Sequence, residues 1–464
     1  MLSAALDHAR QRQDEYLERL KDWLRIPSVS TQPEHAADVR GAASWVADYL
    51  RKLGFEHVAL VETPGHPLVY AEWTGIAAPT LLVYGHFDVQ PPEPLDKWTS
   101  PPFDPQVRDQ HLYARGASDD KGQVLAILAA LGAYLKTSGR LPVNLKLLLE
   151  GEEEVRSPSL PAYLHAHRRE LEADAVLICD EDILDPQTPV ILYGLRGNVY
   201  LEIEARGPAH DLHSGSFGGA VDNPLNVLAR LIARLQDGET RRVLIPGFYD
   251  RVLALSADER RLIAQAPITE AIGLHLTGAP ALAGEHGFSL AERLGARPTL
   301  EVCGLFGGYT GKGSKTVIPA IATAKLSMRI VPEQDPAEIA QLCTDYLRQL
   351  APPTITLEVR RLGMSHPVLV ERGDPAVQAA AQAYGRSFGA QPVFLRGGGS
   401  IPIVHEMIQI LSASEEARIP IVLIGFGLPD GNTHAPNENL HLPTFYRGIE
   451  TIIHYLDIFA KTYG

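Results

Sequence analysis

The sequence predicts an α/β protein: a mostly parallel sheet with helices on both faces, interrupted by a small α+β sandwich of ferredoxin-like type. Three observations lead there. Short apolar runs at residues 81–84, 143–149 and 175–179 alternate with helical stretches, as strands buried on both faces of a parallel sheet do. After about Arg196 the style changes, and residues 198–205 alternate apolar and polar like an antiparallel strand with one wet face. The first style returns with a helix at 376–388 and strands around Val393 and at 421–424. We therefore read residues 1–196 and 367–464 as one discontinuous domain and residues 197–366 as an insertion. A chain of 464 residues is too long for a single core.

Taken in order, residues 1–24 place Asp7, Arg10, Asp14, Glu15, Glu18 and Arg19 among Leu, Ala and Tyr, which predicts an amphipathic surface helix. Pro27 breaks it. A second helix spans about 34–53 and stops at Gly54. Strands follow near 57–62, 69–73 and 80–84, then the rigid loop Pro91-Pro92-Glu93-Pro94. A helix at 123–135, a strand at 143–149, a helix near 160–171 and a strand at 175–179 complete the β-α-β series. In the insertion, the strand at 198–205 is followed by a helix near 224–235 and a breaker-rich stretch at 237–296. Strands at 299–303 and 322–330, a helix at 336–350 and a strand at 354–360 come next. The order strand-helix-strand-strand-helix-strand is that of a ferredoxin-like sandwich.

Composition excludes several functions. Apolar residues make up 45% and charged residues 21%, as in ordinary globular proteins. A net charge of −14 argues against nucleic acid or an anionic membrane as partner. No stretch approaches the apolar length of a membrane span. Cys179, Cys303 and Cys343 lie far apart, so no disulfide framework or CxxC metal site is expected, and a reducing cytoplasm is.

The candidate chemistry sits where strands end and helices begin. His86 and Asp88 follow one strand, past Gly85; Asp119 and Asp120 precede a helix. Glu153 and Glu154 follow another strand, Asp180 the next, and His434 the last apolar one. In open α/β sheets the chemistry lies outside the carboxyl ends of the strands. Carboxylates gathered so densely repel unless cations sit among them, and with two histidines they make chemically a two-metal site. Two divalent cations would be balanced by three carboxylate ligands and one hydroxide. A metal-bound water is available as hydroxide near neutral pH and still needs a base; one glutamate of the Glu153-Glu154 pair can serve while its neighbour binds metal. Each element alone has a plainer reading: Glu152-Glu153-Glu154 as a solvated charge run, Asp119-Asp120 as a helix cap, His434 as a loop histidine. Residues 405–409 lack the second histidine of a helical zinc motif, and 306–313 end on Gly313 where a phosphate loop needs Ser or Thr.

These motifs together resemble the M20 metallopeptidases, and within them the carnosinase-like (cytosolic non-specific) dipeptidases. The stretches are 85–92, 115–122, 150–154, 211–215, 315–319, 398–402 and the segment around His434. The resemblance implies a zinc-peptidase-like catalytic domain and an inserted lid and dimerisation domain. It implies that His86, Asp119 and Asp180 hold one divalent metal and that Asp119, Glu154 and His434 hold the other. The metals would be zinc, with manganese or cobalt as alternatives. Asp88 would orient His86, Glu153 would be the general base, and the peptide bond after Asp119 would be cis. His213 would reach the substrate oxyanion from the partner subunit of a homodimer. Arg329 would bind the substrate carboxylate as a planar fork, with Thr316 and Ser400 lining the same pocket. The expected activity is hydrolysis of dipeptides or short peptides with a free C-terminal carboxylate. The alternatives are an N-acyl amino acid amidohydrolase using the same site and a catalytically silent dimeric binding protein. Three positions depart from the family pattern: Gly397 where glutamate is frequent, Arg156 where glycine is usual, and Gln110-His111 in place of a glycine turn.

Overall fold

The computed structural model describes residues 1–414 and 417–464. The chain divides into two compact units, one made of Met1–Tyr193, Val370–Phe394 and Ile403–Gly464, the other of Gly194–Leu369 and Leu395–Pro402. Residues 395–402 therefore group with the insertion, although the sequence pattern placed them in the discontinuous domain. The reason is side-chain bonding: Arg396 Nε donates to Glu259 Oε1 at 2.9 Å, and Ser400 Oγ accepts from Arg329 Nη1 at 3.0 Å.

In the first unit the sheet runs, in spatial order, His57–Val61, Leu68–Trp73, Asn144–Glu150, Thr80–His86, Ala175–Asp182 and Ile421–Gly427. The four strands from Asn144–Glu150 to Ile421–Gly427 are parallel, and the two at the edge are antiparallel. Val190–Leu195 pairs antiparallel beside Ile421–Gly427 at Leu192. The parallel strands are apolar and buried nearly throughout, as strands covered on both faces must be. Helix Lys121–Ser138 is buried over its first fourteen residues because Ala, Leu, Ile and Val occupy every side of it. It packs against helices Leu2–Gln11 and Leu442–Tyr463, and Gly139 ends it in the left-handed conformation with φ 66°. The single helix expected over residues 1–24 is two, Leu2–Gln11 and Gln13–Leu24, because Arg12 leaves helical geometry at φ −116°.

The second unit contains a four-stranded antiparallel sheet in the order Thr299–Gly307, Ile321–Ile330, Gly197–Arg206 and Thr356–Ser365. Along Gly197–Arg206 buried and half-buried residues alternate strictly. Val199, Leu201 and Ile203 are fully buried against helices Pro224–Ile232 and Pro336–Leu350, worth about 1.5–3 kcal/mol each. Both helices start on a proline behind a side-chain cap: Asn223 accepts the Leu225 N–H and Asp335 the Glu338 N–H. Among the described residues no helix is long and apolar enough to cross a membrane.

Candidate metal centre

Strand Thr80–His86 delivers His86, fully buried, to the carboxyl edge of the sheet. Only glycine fits before it, since a Cβ on Gly85 would lie 2.6 Å from Val124 Cγ2 and 3.0 Å from Asp120 Oδ2. The His86 ring is held from both sides. Its Nδ1 lies 3.1 Å from the Asp88 carbonyl and 3.4 Å from Asp88 Oδ1, which turns Nε2 towards the carboxylates of Asp119 (3.0 Å) and Asp180 (3.7 Å). Asp88, also fully buried, accepts the backbone N–H groups of Glu153 at 3.2 Å and Glu154 at 3.1 Å. The carboxylate beside the histidine thus also fixes the turn that presents both glutamates.

Across the cluster, His434 Nε2 lies 2.9 Å from Asp119 Oδ2 and 3.3 Å from Glu154 Oε2. His434 adopts a left-handed backbone, φ 62°, which costs about 1–3 kcal/mol for a residue other than glycine. Two ligand sets result, His86–Asp119–Asp180 and Asp119–Glu154–His434, each with one ligand atom per residue and all such atoms within 4.8 Å of one another. Asp119 belongs to both, with one carboxylate oxygen directed at each histidine. Glu153 belongs to neither, and its peptide N–H joins it to Asp88. The Asp119–Asp120 peptide bond is cis.

The residues fit divalent cations. Glu154 Oε1 is buried without a hydrogen-bond partner and buried His86 Nε2 faces only carboxylate oxygens, an arrangement that a bound cation would satisfy. Electrostatics point the same way. Burial works against a charged His86, yet Asp119, Asp180 and Asp88 raise its pKa well above the usual histidine value. The carboxylates of Asp119 and Glu154 raise His434 to about 10. Burial opposes the charged form of Asp119, but its bonds to His434 and His86 hold it well below the ordinary carboxylate range. The carboxylates around both imidazoles favour positive charge between them, and a divalent cation would supply it. Glu153 is pushed the other way, well up, chiefly by burial; His86 opposes this, and the nearby charges of Asp180, Glu154 and Asp119 add to the rise. A carboxyl with a raised pKa can hold and release a proton near neutrality.

Two contributors escaped the sequence reading. Glu438 is fully buried, and its carboxylate accepts four hydrogen bonds: the N–H groups of Gly116 (2.9 Å), Ser118 (2.9 Å) and Asp119 (3.1 Å), and Arg115 Nη1 (2.8 Å). It grips the loop that carries Asp119. Gln90 Nε2 donates to Glu154 Oε2 at 2.6 Å and orients that ligand. Nothing local in the sequence marks Glu438, whose arginine partner lies 323 residues earlier.

In the second unit the other singled-out residues pair up. Thr316 Oγ1 lies 3.3 Å from His213 Nε2, both residues exposed. Arg329 Nη1 donates to Ser400 Oγ at 3.0 Å, and Ser400 Oγ in turn donates to the Arg196 carbonyl. Two of the three departures resolve locally. Arg156 occupies the left-handed conformation a glycine would take, φ 71°, and Asp109 and Gln110 turn the chain at φ 46° and 66° without glycine.

A sheet whose strand ends gather two ligand sets on a shared aspartate defines a metal-dependent hydrolase. The chain belongs to peptidase family M20/M25/M40, whose model matches residues 82–457. It is 31% identical over 488 aligned residues to a Cys-Gly metallodipeptidase of Candida albicans, covering 99% of this chain and 98% of that one. An M20 family metallo-carboxypeptidase of Sulfolobus solfataricus superposes with a TM-score of 0.86 at 35% identity, covering 96% and 99% of the two chains. Human carnosine dipeptidase 1 superposes with a TM-score of 0.85 at 29% identity over 99% of each.

Proposed function

We propose that this protein is a dinuclear metal-dependent dipeptidase that cleaves dipeptides or very short peptides bearing a free C-terminal carboxylate. The observation that carries the reading is the pair of ligand sets sharing Asp119, with an unligated Glu153 fixed beside them through Asp88. The names of the relatives support the substrate class, since they are a Cys-Gly metallodipeptidase, a carnosine dipeptidase and a carboxypeptidase. His86, Asp119 and Asp180 would hold one metal and Asp119, Glu154 and His434 the other. Bound there, the pair would polarise the scissile carbonyl and lower the pKa of a coordinated water. Nitrogen and oxygen ligands of this kind suit zinc, and also manganese or cobalt.

The chain's own residues do the rest. Asp88 holds His86 in one orientation, so Nε2 stays aimed at the ligand position. Glu153 takes a proton from the attacking water as the carbon–oxygen bond forms. It then delivers that proton to the amine nitrogen as the carbon–nitrogen bond breaks, leaving a carboxylic acid and a free amine. Arg329, positioned by Ser400, receives the substrate's terminal carboxylate as a bidentate fork. His213, with Thr316 beside it, would donate to the oxyanion of a partner subunit's substrate in a homodimer. Three free cysteines suit a reducing cytoplasm.

Replacing Glu153 with Gln tests the mechanism. Two metals per chain should remain by elemental analysis while turnover on a dipeptide panel falls about 10²–10⁴-fold. Turnover near that of the unmodified enzyme would overturn the assignment. Release of amino acid from N-acyl amino acids and not from dipeptides would move the protein to the amidohydrolase branch.

A further inference from the structure

The second unit holds a cavity of about 480 Å³ whose lining is strongly basic. Five arginines face it, at positions 196, 241, 293, 297 and 329, against two acids, Glu285 and Glu301. That excess is unexpected on a chain of net charge −14. Glu285 is already engaged, with both oxygens on Arg297 at 2.7 and 2.9 Å and one on Arg242 at 3.1 Å.

Of the four remaining arginines of the lining, Arg196, Arg293 and Arg329 have only neutral hydrogen-bond acceptors. Arg196 donates from Nε to the Gly398 carbonyl at 3.0 Å and from Nη1 to the Arg297 carbonyl at 3.4 Å. Arg293 Nε donates to the Glu285 carbonyl at 3.2 Å. Arg329 Nη1 reaches the Ser400 hydroxyl at 3.0 Å. Among the described residues none of the three makes an ion pair. Two of them stand close together: Ser400 Oγ joins the Arg196 carbonyl to the Arg329 guanidinium. Burial and the neighbouring Arg329 charge draw Arg196 down to about 10, against a smaller opposing pull from Glu301.

One carboxylate on Arg329 leaves Arg196 and Arg293 without an ion-pair partner in the same cavity. A ligand with a second carboxylate would match them, and charge-assisted forks of this kind are the strongest hydrogen bonds available to it. The cavity is also within the size range of small-molecule sites.

We propose that this cavity is a subsite for an acidic side chain on the substrate's C-terminal residue, read by Arg196 and Arg293 while Arg329 takes the terminal carboxylate. The inference rests on the peptidase reading above and names its substrate class: peptides ending in aspartate or glutamate.

The test pairs two readouts on metal-loaded enzyme. In the first, kcat/KM for Ala-Glu should exceed that for Ala-Gln by about tenfold or more, since the two differ only in side-chain charge. Arg196→Met should bring that ratio to within about threefold of one. Arg196 also holds the Gly398 carbonyl, so Arg293→Gln, whose parent makes a single backbone contact, provides an independent check on the same ratio. In the second readout, calorimetric titration with free L-glutamate and L-glutamine should show the glutamate preferred, and the preference should shrink in both variants. A ratio near one in the unmodified enzyme, or equal binding of the two amino acids, overturns the subsite and leaves the peptidase reading intact. If no dipeptide is cleaved, the peptidase reading fails, and the titration still decides whether the cavity selects glutamate.

Discussion

Asp88 and Glu438 in the first unit and His213 and Arg329 in the second are held very differently. Asp88 accepts two backbone N–H groups and Glu438 accepts four hydrogen bonds, all from fully or largely buried partners. His213 is exposed, its Nδ1 accepting the Gly215 N–H at 3.0 Å and its Nε2 lying 3.3 Å from Thr316, and Arg329 rests on one hydroxyl at 3.0 Å. Like charges crowded within 4.8 Å would drift apart or protonate without a rigid scaffold, so the protein builds that scaffold from its own backbone. Groups proposed to read a substrate would need no such support, because the substrate would bring the missing partner. Preorganisation in the first unit and adaptability in the second are two answers to two different electrostatic problems.

That contrast can be broken by experiment. The largest effect is expected at Asp119. Asp119→Asn removes the ligand common to both sets and should drop metal content below two per chain by elemental analysis, with activity below that of Glu153→Gln. Retention of both metals would mean the sets are independent. Next comes His213→Ala, which should lower kcat by about 10²–10³-fold, as loss of one oxyanion donor does, without changing metal content. If His213 acts across a dimer, mixing this variant with Glu153→Gln should restore part of the activity in hybrid dimers. Failure to complement would place its action within one chain. Smaller still is Glu438→Gln, which keeps the size but weakens the grip on the Asp119 loop. Metal affinity should fall about 10–100-fold, as for other residues that orient ligands, while the rate at saturating metal recovers. The smallest effect belongs to Arg156→Gly. The left-handed backbone at φ 71° costs about 1–2 kcal/mol with a side chain, and glycine returns part of that to unfolded-state entropy. The thermal midpoint should stay level or rise by a few degrees.

Much of the first unit was readable in the sequence because parallel strands buried on both faces are plain apolar runs, and the carboxylates that end them stand out. His86, Asp119, Glu154, Asp180 and His434 could be gathered on one edge for that reason alone. The ferredoxin-like order of the insertion was readable from its changes of period. Glu438 was not, because its partners lie 319 to 323 residues away and nothing local marks it. The gap at Arg12 was missed because both halves keep the same amphipathic face. Strand Val190–Leu195 and helix Leu442–Tyr463 were missed because their apolar runs sit next to loop-like neighbours, although Pro443 in the helix's first turn is a start signal. The grouping of residues 395–402 with the second unit depends on Arg396 and Ser400 reaching partners that sequence distance hides.

The separation between Asp119 and His434, 315 residues, has a consequence for biosynthesis. Ribosomes emit roughly 5–20 residues per second, so the early half of the site leaves the exit tunnel long before the histidine and glutamate that complete it. The whole second unit is made in the interval. A nascent chain stalled ahead of His434 should therefore carry a folded insertion and no peptidase activity, which keeps the enzyme silent until that histidine has been added.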